Sequence, residues 1–300
     1  MAGWLERLRL AWNRFGAART LGLALGGGGV RGLAHIGVLT VLDREAIPIH
    51  SVAGTSMGAI VGAAYALSAD FDSARLTRQV IDLGIKPPIS LHTSGADREG
   101  LLDRLHRFID AERFLVDTAW GWGAYDGTRV ADALATLTAG KLLEEAKVPL
   151  AVVATDLLSG EKVVFRKGSA ALALQASSAL PGFFPPIKYQ NRLLADGAFV
   201  DLVPCDVTRR MGAGIVVAVD VDQERTPVQV TNGLQAFLRA VDISARHYKR
   251  HHLKAADLVI RPEFGEPVHS LDFSKAELCV DAGVRAAERA LPELRRLLRR

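Results

Sequence analysis

"TLGLALGGGGVRGLAHIGVL", residues 20–39, carries a short apolar strand into four glycines and out into a helical stretch with one arginine, Arg31, at the junction. Glycine loses more conformational freedom on folding than any other residue, so four in a row mark a place where the backbone must stay uncovered. The order then repeats. "IHSVAG" (49–54) is a second strand and "SMGAIVGAAYALSAD" (56–70) a helix of small residues. Strand, tight loop, helix, twice over, is the grammar of a parallel sheet covered by helices. The expected fold class is α/β: three α/β/α layers around a mainly parallel sheet, with the active site at the carboxyl ends of its first two strands.

The rest of the chain extends this pattern. Helices are expected over 71–84, 99–110, 168–180 (stopped by Pro181), about 233–255, and from about 275 to the end. Strands are expected in "PLAVVATDL" and "EKVVFRKG" around the turn "LSG" (158–160), in "NRLLADGAFVDLVP" (191–204), in 214–221 and in 256–264. Residues 85–98 and 116–128 show no periodicity; Trp120, Trp122 and Tyr125 in the second either line an apolar acyl pocket or plug the core beneath a loop.

At 300 residues and 49% hydrophobic, the chain can bury a large core. The net charge of +4 is unevenly spread: residues 1–20 hold Arg7, Arg9, Arg14 and Arg19 against Glu6, and residues 295–300 hold four arginines and no acid. No nucleic-acid motif accompanies this surplus, so no nucleic-acid partner is expected. Trp4, Leu5, Leu8, Trp12 and Phe15 recur at helical spacing among the N-terminal arginines. Such a segment either lies peripherally on an anionic membrane or docks on the domain behind it. The domain reading is therefore a basic amphipathic segment, 1–20, ahead of one domain, 21–300. Cys205 and Cys279 form no framework and no metal spacing, and neither a signal peptide nor a spanning segment is read, so a cytoplasmic protein is expected.

The second tight loop reads Gly54-Thr55-Ser56-Met57-Gly58, a G-x-S-x-G between strand and helix. That is the context of a nucleophile elbow, in which a sharp turn exposes the serine and small flanking residues relieve its crowding. The bland alternative is a serine N-cap. Gly27, Gly29 and Gly32 also satisfy G-x-G-x-x-G, the dinucleotide fingerprint, but the second strand ends in the serine elbow rather than in the acid that motif wants. A glycine loop opening a helix aims N–H groups at an anion, and beside a nucleophile that anion is an acyl-transfer oxyanion. Arg31, a cation in a first helical turn, opposes the helix dipole. A charge so placed either has a task, such as holding the loop or meeting an anionic group, or simply sends its head to solvent.

A serine nucleophile needs a proton acceptor. None of the eight histidines stands in a catalytic context: His247, His251 and His252 fall on the basic helix "RHYKRHHLK" and read as a solvated face, and His35 reads as packed. A Ser–Asp–His arrangement in chain order would draw on Asp220 or Asp222 with His247 or His269. The other acceptor is Asp196, followed by Gly197 and Ala198 at the end of an apolar strand, though Asp-Gly is first of all a turn.

Three elements, in order, carry a resemblance: "GGGVRG" (27–32), "GTSMG" (54–58) and "DGA" (196–198), with "ASSALPGFFPP" (176–186) ahead of the aspartate. Over residues 20–205 the chain resembles the patatin-like phospholipase family of serine lipid hydrolases. The resemblance implies a Ser–Asp dyad without histidine, Ser56 as nucleophile and Asp196 as base. It also implies an oxyanion hole in the loop of Gly27, Gly28, Gly29 and Arg31, supported by Gly32, Gly54, Gly58 and Gly197. It further implies a lipid or acyl-ester substrate and neither metal nor organic cofactor. Phe183, Phe184 and Pro185 are expected either to pack near the site or, Phe183 above all, to fill the core.

Overall fold

The computed structural model describes residues 20–82, 127–223, 230–231 and 233–299. The N-terminal segment up to residue 19, the helix expected over 99–110, the stretch 85–98 and the three aromatics of 116–128 lie outside these residues.

The described elements are β1 (Leu21–Leu25), a 3-10 turn (Gly29–Leu33), α1 (Ala34–Arg44), β2 (Ile49–Thr55), α2 (Met57–Leu67), α3 (Ser73–Asp82), α4 (Thr128–Thr138), β3 (Leu150–Asp156), β4 (Lys162–Phe165), α5 (Ala170–Ser178), β5 (Ile187–Tyr189), β6 (Arg192–Asp196), α6 (Cys205–Arg210), β7 (Ile215–Val219), α7 (Gly233–Leu253), β8 (Leu258–Ile260) and α8 (Ala276–Arg299). They form one eight-stranded sheet in the order β5-β6-β3-β2-β1-β7-β8, with β4 paired to β3. The strands β3, β2, β1, β7 and β8 run parallel to their neighbours in that series; β4, β5 and β6 are antiparallel additions.

The central strands are buried along their whole length, as a sheet covered on both faces requires. Their side chains alternate in size as well as in direction. Leu23, Leu25, Val52, Val217 and Val219 face one large core with α1, α2, α5 and α8. The intervening Ala24, Ala53, Ala151 and Ala218 face the opposite layer, where α6 contributes Cys205 and Val207 and α7 contributes Leu253. On the first face α1 and α8 touch backbone to backbone: a Cβ on Gly37 would strike the Val280 carbonyl, and one on Gly283 the carbonyl of Ala34.

One strand organises the rest. β3 uses one edge for β4, in register from Val152↔Phe165 to Thr155↔Lys162. Its other edge is shared: β2 occupies it up to Thr55↔Val153, and β6 takes over from Ala154↔Asp196. Because β2 is parallel to β3 and β6 antiparallel, their carboxyl ends meet head to head between Val153 and Ala154.

Candidate active site

Ser56 follows directly on β2, and its backbone (φ 53°, ψ −124°) lies where L side chains are strained. Such a conformation costs about 1–3 kcal/mol and persists only where its surroundings over-determine it. Here they do. The Ser56 N–H donates to Ser177 Oγ (2.9 Å), which in turn donates to the Val153 carbonyl (2.6 Å). The Ser56 carbonyl accepts from Ala59 and Ile60 as α2 begins. The turn is also closely packed: a Cβ on Gly58 would run into the Leu25 carbonyl, and one on Gly54 into the backbone of Ala59. The hydroxyl does not cap α2. It donates instead to Asp196 Oδ2, at 2.7 Å.

Asp196 is the last residue of β6 and is buried. Its Oδ1 accepts the Ala198 N–H (2.9 Å), its own N–H donates to the Ala179 carbonyl, and its carbonyl accepts from the Thr155 hydroxyl (2.7 Å). Gly197 lies so close to β3 that a Cβ would meet the Val153 carbonyl. Burial raises the Asp196 carboxyl to about 6, against the opposing pull of the Ala198 N–H and the Ser56 hydroxyl. A carboxylate with this acidity is a better proton acceptor near neutrality than a solvated one.

The glycine loop stands beside this pair. Gly27, Gly28, Gly29 and Arg31 line the same cavity as Ser56 and Asp196, about 440 Å³ in volume. Gly27, expected with Gly28 and Gly29 to offer its N–H, spends it on the Leu202 carbonyl (3.0 Å). What Gly27 provides is proximity, since a Cβ there would sit 3.2 Å from Ser56 Cβ. Val30 N–H is likewise committed, to the Ser270 carbonyl, while the N–H groups of Gly28 and Gly29 meet no acceptor among the described residues. Gly29 has φ +59° and abuts the Ser270 backbone; Gly32 packs on Met57. Arg31 is buried and braces the loop: Nε donates to the Gly28 carbonyl (3.4 Å), Nη2 to Ser270 Oγ (3.1 Å) and Nη1 to Asp222 (3.5 Å). Asp222 also receives Arg246 and Lys249, which outweigh burial and hold its carboxyl below the usual range.

The remaining cavity wall is mostly apolar. Ile60, Val130, Leu180, Phe183 and Phe184 line it, with Phe199 and Leu202 from the segment after Asp196. An apolar cleft with a few convergent polar groups suits a ligand with an acyl chain.

Histidines take other places. His35 is fully buried, donates Nε2–H to the Gly26 carbonyl (2.7 Å), and is lowered by burial to about 4, so it is neutral and structural. His247 and His251 are exposed on α7, but His252 turns inward, its Nδ1 2.6 Å from Asp201 Oδ1, which departs from the solvated face expected for all three. His269 lines the cavity; no histidine bonds the Ser56 hydroxyl among the described residues. Asp220 and Asp222, the other acids considered, are held by Lys249 and arginines.

Asp201, which no sequence motif singles out, ties the site to its frame. Its carbonyl accepts from Thr55 Oγ1 (2.8 Å), its N–H donates to the Gly197 carbonyl (2.8 Å), and its carboxylate holds His252 and Lys162. Asp201, Asp206 and His252 could in principle converge on a metal ion, but the Lys162 ammonium lies 2.8 Å from Asp201 and 2.9 Å from Asp206 and already supplies the positive charge. Ser177 is the other residue to which sequence reasoning assigns no role; it falls in the quoted stretch 176–186, but as one of two adjacent serines ending a helix it carries no signal of its own. Cys205 and Cys279 are free and buried, their thiols pushed up to about 12 by that burial. No helix among the described residues is long and apolar enough to cross a membrane.

Comparison with known proteins places these residues in context. Residues 23–209 match the family described as patatin-like phospholipase. An uncharacterised NTE family protein of Mycobacterium tuberculosis (strain ATCC 25618 / H37Rv) is 28% identical over 308 residues, 93% of this chain and 48% of that protein. The lysophospholipase NTE1 of Scheffersomyces stipitis is 28% identical over 244 residues, 77% of this chain and 14% of that protein. Among solved structures, VipD from Legionella pneumophila aligns with TM-score 0.49 and 14% identity, covering 91% of this chain and 67% of that one. The chain thus spans about half the length, or less, of the curated relatives it matches.

Proposed function

The chain belongs to the patatin-like phospholipase family, and from that footing we propose that it hydrolyses carboxylic esters of lipid-like molecules, with Ser56 as nucleophile, Asp196 as base and the Gly28 and Gly29 N–H groups as oxyanion donors. The observation that carries the proposal is the 2.7 Å bond from the Ser56 hydroxyl to a buried carboxylate whose acidity burial has shifted to about 6.

The steps follow from the geometry. Asp196 takes the Ser56 proton as Oγ bonds to the ester carbonyl carbon, and the carbonyl oxygen gains the negative charge. Donors fixed in advance by a braced loop stabilise that charge without reorganising as it forms. Collapse breaks the ester C–O bond, and the leaving alkoxide takes the proton from Asp196. Water then attacks the acyl-serine, giving a proton to Asp196. A second collapse releases the carboxylic acid as the proton returns to Ser56 Oγ. Arg31 holds the Gly28 carbonyl and thereby the orientation of the neighbouring peptide. The apolar wall of Ile60, Leu180 and Phe183 receives the acyl chain.

Incubation with a fluorophosphonate probe, followed by peptide mapping, tests the assignment. Labelling of Ser56 that is lost in Ser56→Ala supports it; labelling elsewhere, or none, overturns it. On the same reading residues 1–20 bring the protein to an anionic membrane, at its cytoplasmic face. Their deletion should weaken vesicle binding while turnover of a soluble short ester survives.

A further inference from the structure

We infer that the turn between β3 and β4, together with the adjoining β5–β6 hairpin, is a contact surface for the headgroup region of a lipid bilayer, on the carboxyl side of the sheet that carries the Ser56 cavity. The inference rests on the reading of the chain as a lipid-ester hydrolase and adds where, on the folded domain, the lipid surface is met.

The first observation is misplaced apolar area. Leu158 is 69% exposed, Phe199 47% and Leu157 44%. All three lie at the carboxyl side of the sheet: Leu157 and Leu158 directly after β3, Phe199 in the turn after Asp196. Single exposed apolar residues need no explanation; two consecutive leucines held out in one turn, on the side of the sheet that carries the cavity, do. Phe199 is exposed and also lines the cavity, and so carries the apolar surface from inside to outside.

The second observation is that the turn is tied in this exposed form. Asp156 accepts from the Leu158 N–H (3.1 Å), the Ser159 hydroxyl (2.9 Å) and, across the hairpin, the Leu193 N–H (3.3 Å). The Leu157 N–H donates to the Leu193 carbonyl (2.8 Å), and Gly160 N–H to that of Asp156 (2.8 Å). The backbone therefore cannot fold the leucines inward without breaking these bonds, and their ordering cost is met before any partner arrives.

The third observation is charge. Lys188 and Arg192 are exposed on the hairpin that Leu193 joins to this turn; Arg192 lies in the field of the buried Asp156, the exposed Glu161 is the turn's own acid, and neither cation is within salt-bridge distance of a carboxylate among the described residues. An apolar tip flanked by such cations is complementary to the boundary of an anionic bilayer, where acyl chains begin beneath negative headgroups. A bilayer, unlike a protein partner, would also hold the substrate of a cavity that opens on this side of the sheet.

The experiment uses the two buried native cysteines to advantage. In full-length Leu158→Cys the new thiol is the accessible one and takes an environment-sensitive dye; His50→Cys, at the amino end of β2, is the control. With vesicles of phosphatidylcholine and phosphatidylglycerol, the dye at 158 should shift to the blue and the dye at 50 should not. Added salt, or Lys188→Gln with Arg192→Gln, should weaken the response severalfold. No shift at 158, equal shifts at both positions, or a shift that follows protein concentration without vesicles overturns the inference; the last outcome would assign the surface to a second copy of the chain. As a second measurement, Leu157→Asn with Leu158→Asn should lower hydrolysis of a vesicle-borne ester about tenfold and leave a soluble short ester within about twofold. If the wild type hydrolyses neither ester, the hydrolase reading fails, while the dye response still decides the surface.

Discussion

Ser56 and Asp196 are 140 residues apart in the chain, yet hydroxyl and carboxylate meet at 2.7 Å because the strands that carry them end against each other on one edge of β3. Thr55 pairs with Val153 and Asp196 with Ala154, so consecutive residues of one strand position the two halves of the proposed dyad. Strand register moves in steps of a whole residue, and a slip of one would turn either side chain to the opposite face.

The proposed roles make the first expectation direct. Ser56→Ala should abolish turnover of a short acyl ester, and Asp196→Asn should lower kcat by ~10²–10⁴, the usual worth of a positioned base. His247→Ala, on the exposed face of α7, should stay within about twofold of wild type. Initial rates on purified, folded variants check this. An Asp196→Asn enzyme retaining a tenth of its activity would remove Asp196 from the mechanism.

Activity should titrate with the Asp196 carboxylate. With its acidity near 6, kcat/KM should be half-maximal at about that pH, fall about tenfold one unit lower, and level off above it. Stability should run the other way. The carboxyl is raised in the folded state, so its ionisation costs folding free energy above about pH 6, and that cost disappears as pH falls below the unfolded value of 3.8. Asp196→Asn should therefore be more stable than wild type by about 2–3 kcal/mol at pH 8 and no more stable at pH 3. Urea melts at the two pH values decide it.

Ser177 should matter through Ser56. Ser177→Ala removes the acceptor of the part-buried Ser56 N–H, a cost of about 1 kcal/mol. The strained elbow is then free to relax. We expect kcat to fall about tenfold or more with KM little changed, and fluorophosphonate labelling of Ser56 to slow in parallel. A drop in melting temperature with unaltered labelling would reduce Ser177 to a packing role.

The two loop glycines should separate by mechanism. In Gly28→Ala the new methyl clashes with the Val221 side chain (2.6 Å) and otherwise makes ordinary contact with Arg31 Cβ (3.8 Å), so the loop is displaced but not broken. Its kcat should fall by ~10²–10³ with KM within severalfold, as for the loss of one oxyanion donor. Gly29→Ala faces both a positive φ and the Ser270 backbone, and should lower the melting temperature as well. Unchanged kcat in Gly28→Ala would count against an oxyanion role for this loop.

Most of the sheet is legible in the sequence because its signals are local. β1, β2, β3 and β7 are apolar runs bounded by glycine or polar turns, and each lies where the pattern puts it, to within a residue or two. α6 and β5 are too short for any period to show, and α4 escapes the reading although Val130, Leu134 and Leu137 space it as a helix. The elbow is legible in Ser56 itself, since strand, tight turn and small-residue helix are contiguous. Asp196 is different: "DGA" by itself reads as a turn, and only its resemblance to a family singles it out. What brings it to Ser56 is an antiparallel strand added to a parallel sheet, a non-local pairing that no periodicity records. His252 misleads for a related reason. The end of its helix, residues 246–252, is polar nearly all round, and the buried Asp201 it meets lies 51 residues away.

The shared edge of β3 also bears on how such a domain can vary. Both residues of the proposed dyad are anchored to one short rod, so the chain between them is not a spacer whose length sets their separation. Segments inserted or shortened between α2 and β3, or between Leu180 and β5, leave the two stations where they are, provided that β3 keeps its pairing and Ser177 and Ala179 keep their bonds to them. Cavity walls such as those at Val130 and Phe183 lie within those intervals. An engineer could therefore exchange whole substrate-facing loops there as cassettes, in search of new selectivity, without re-solving the geometry of the reacting pair.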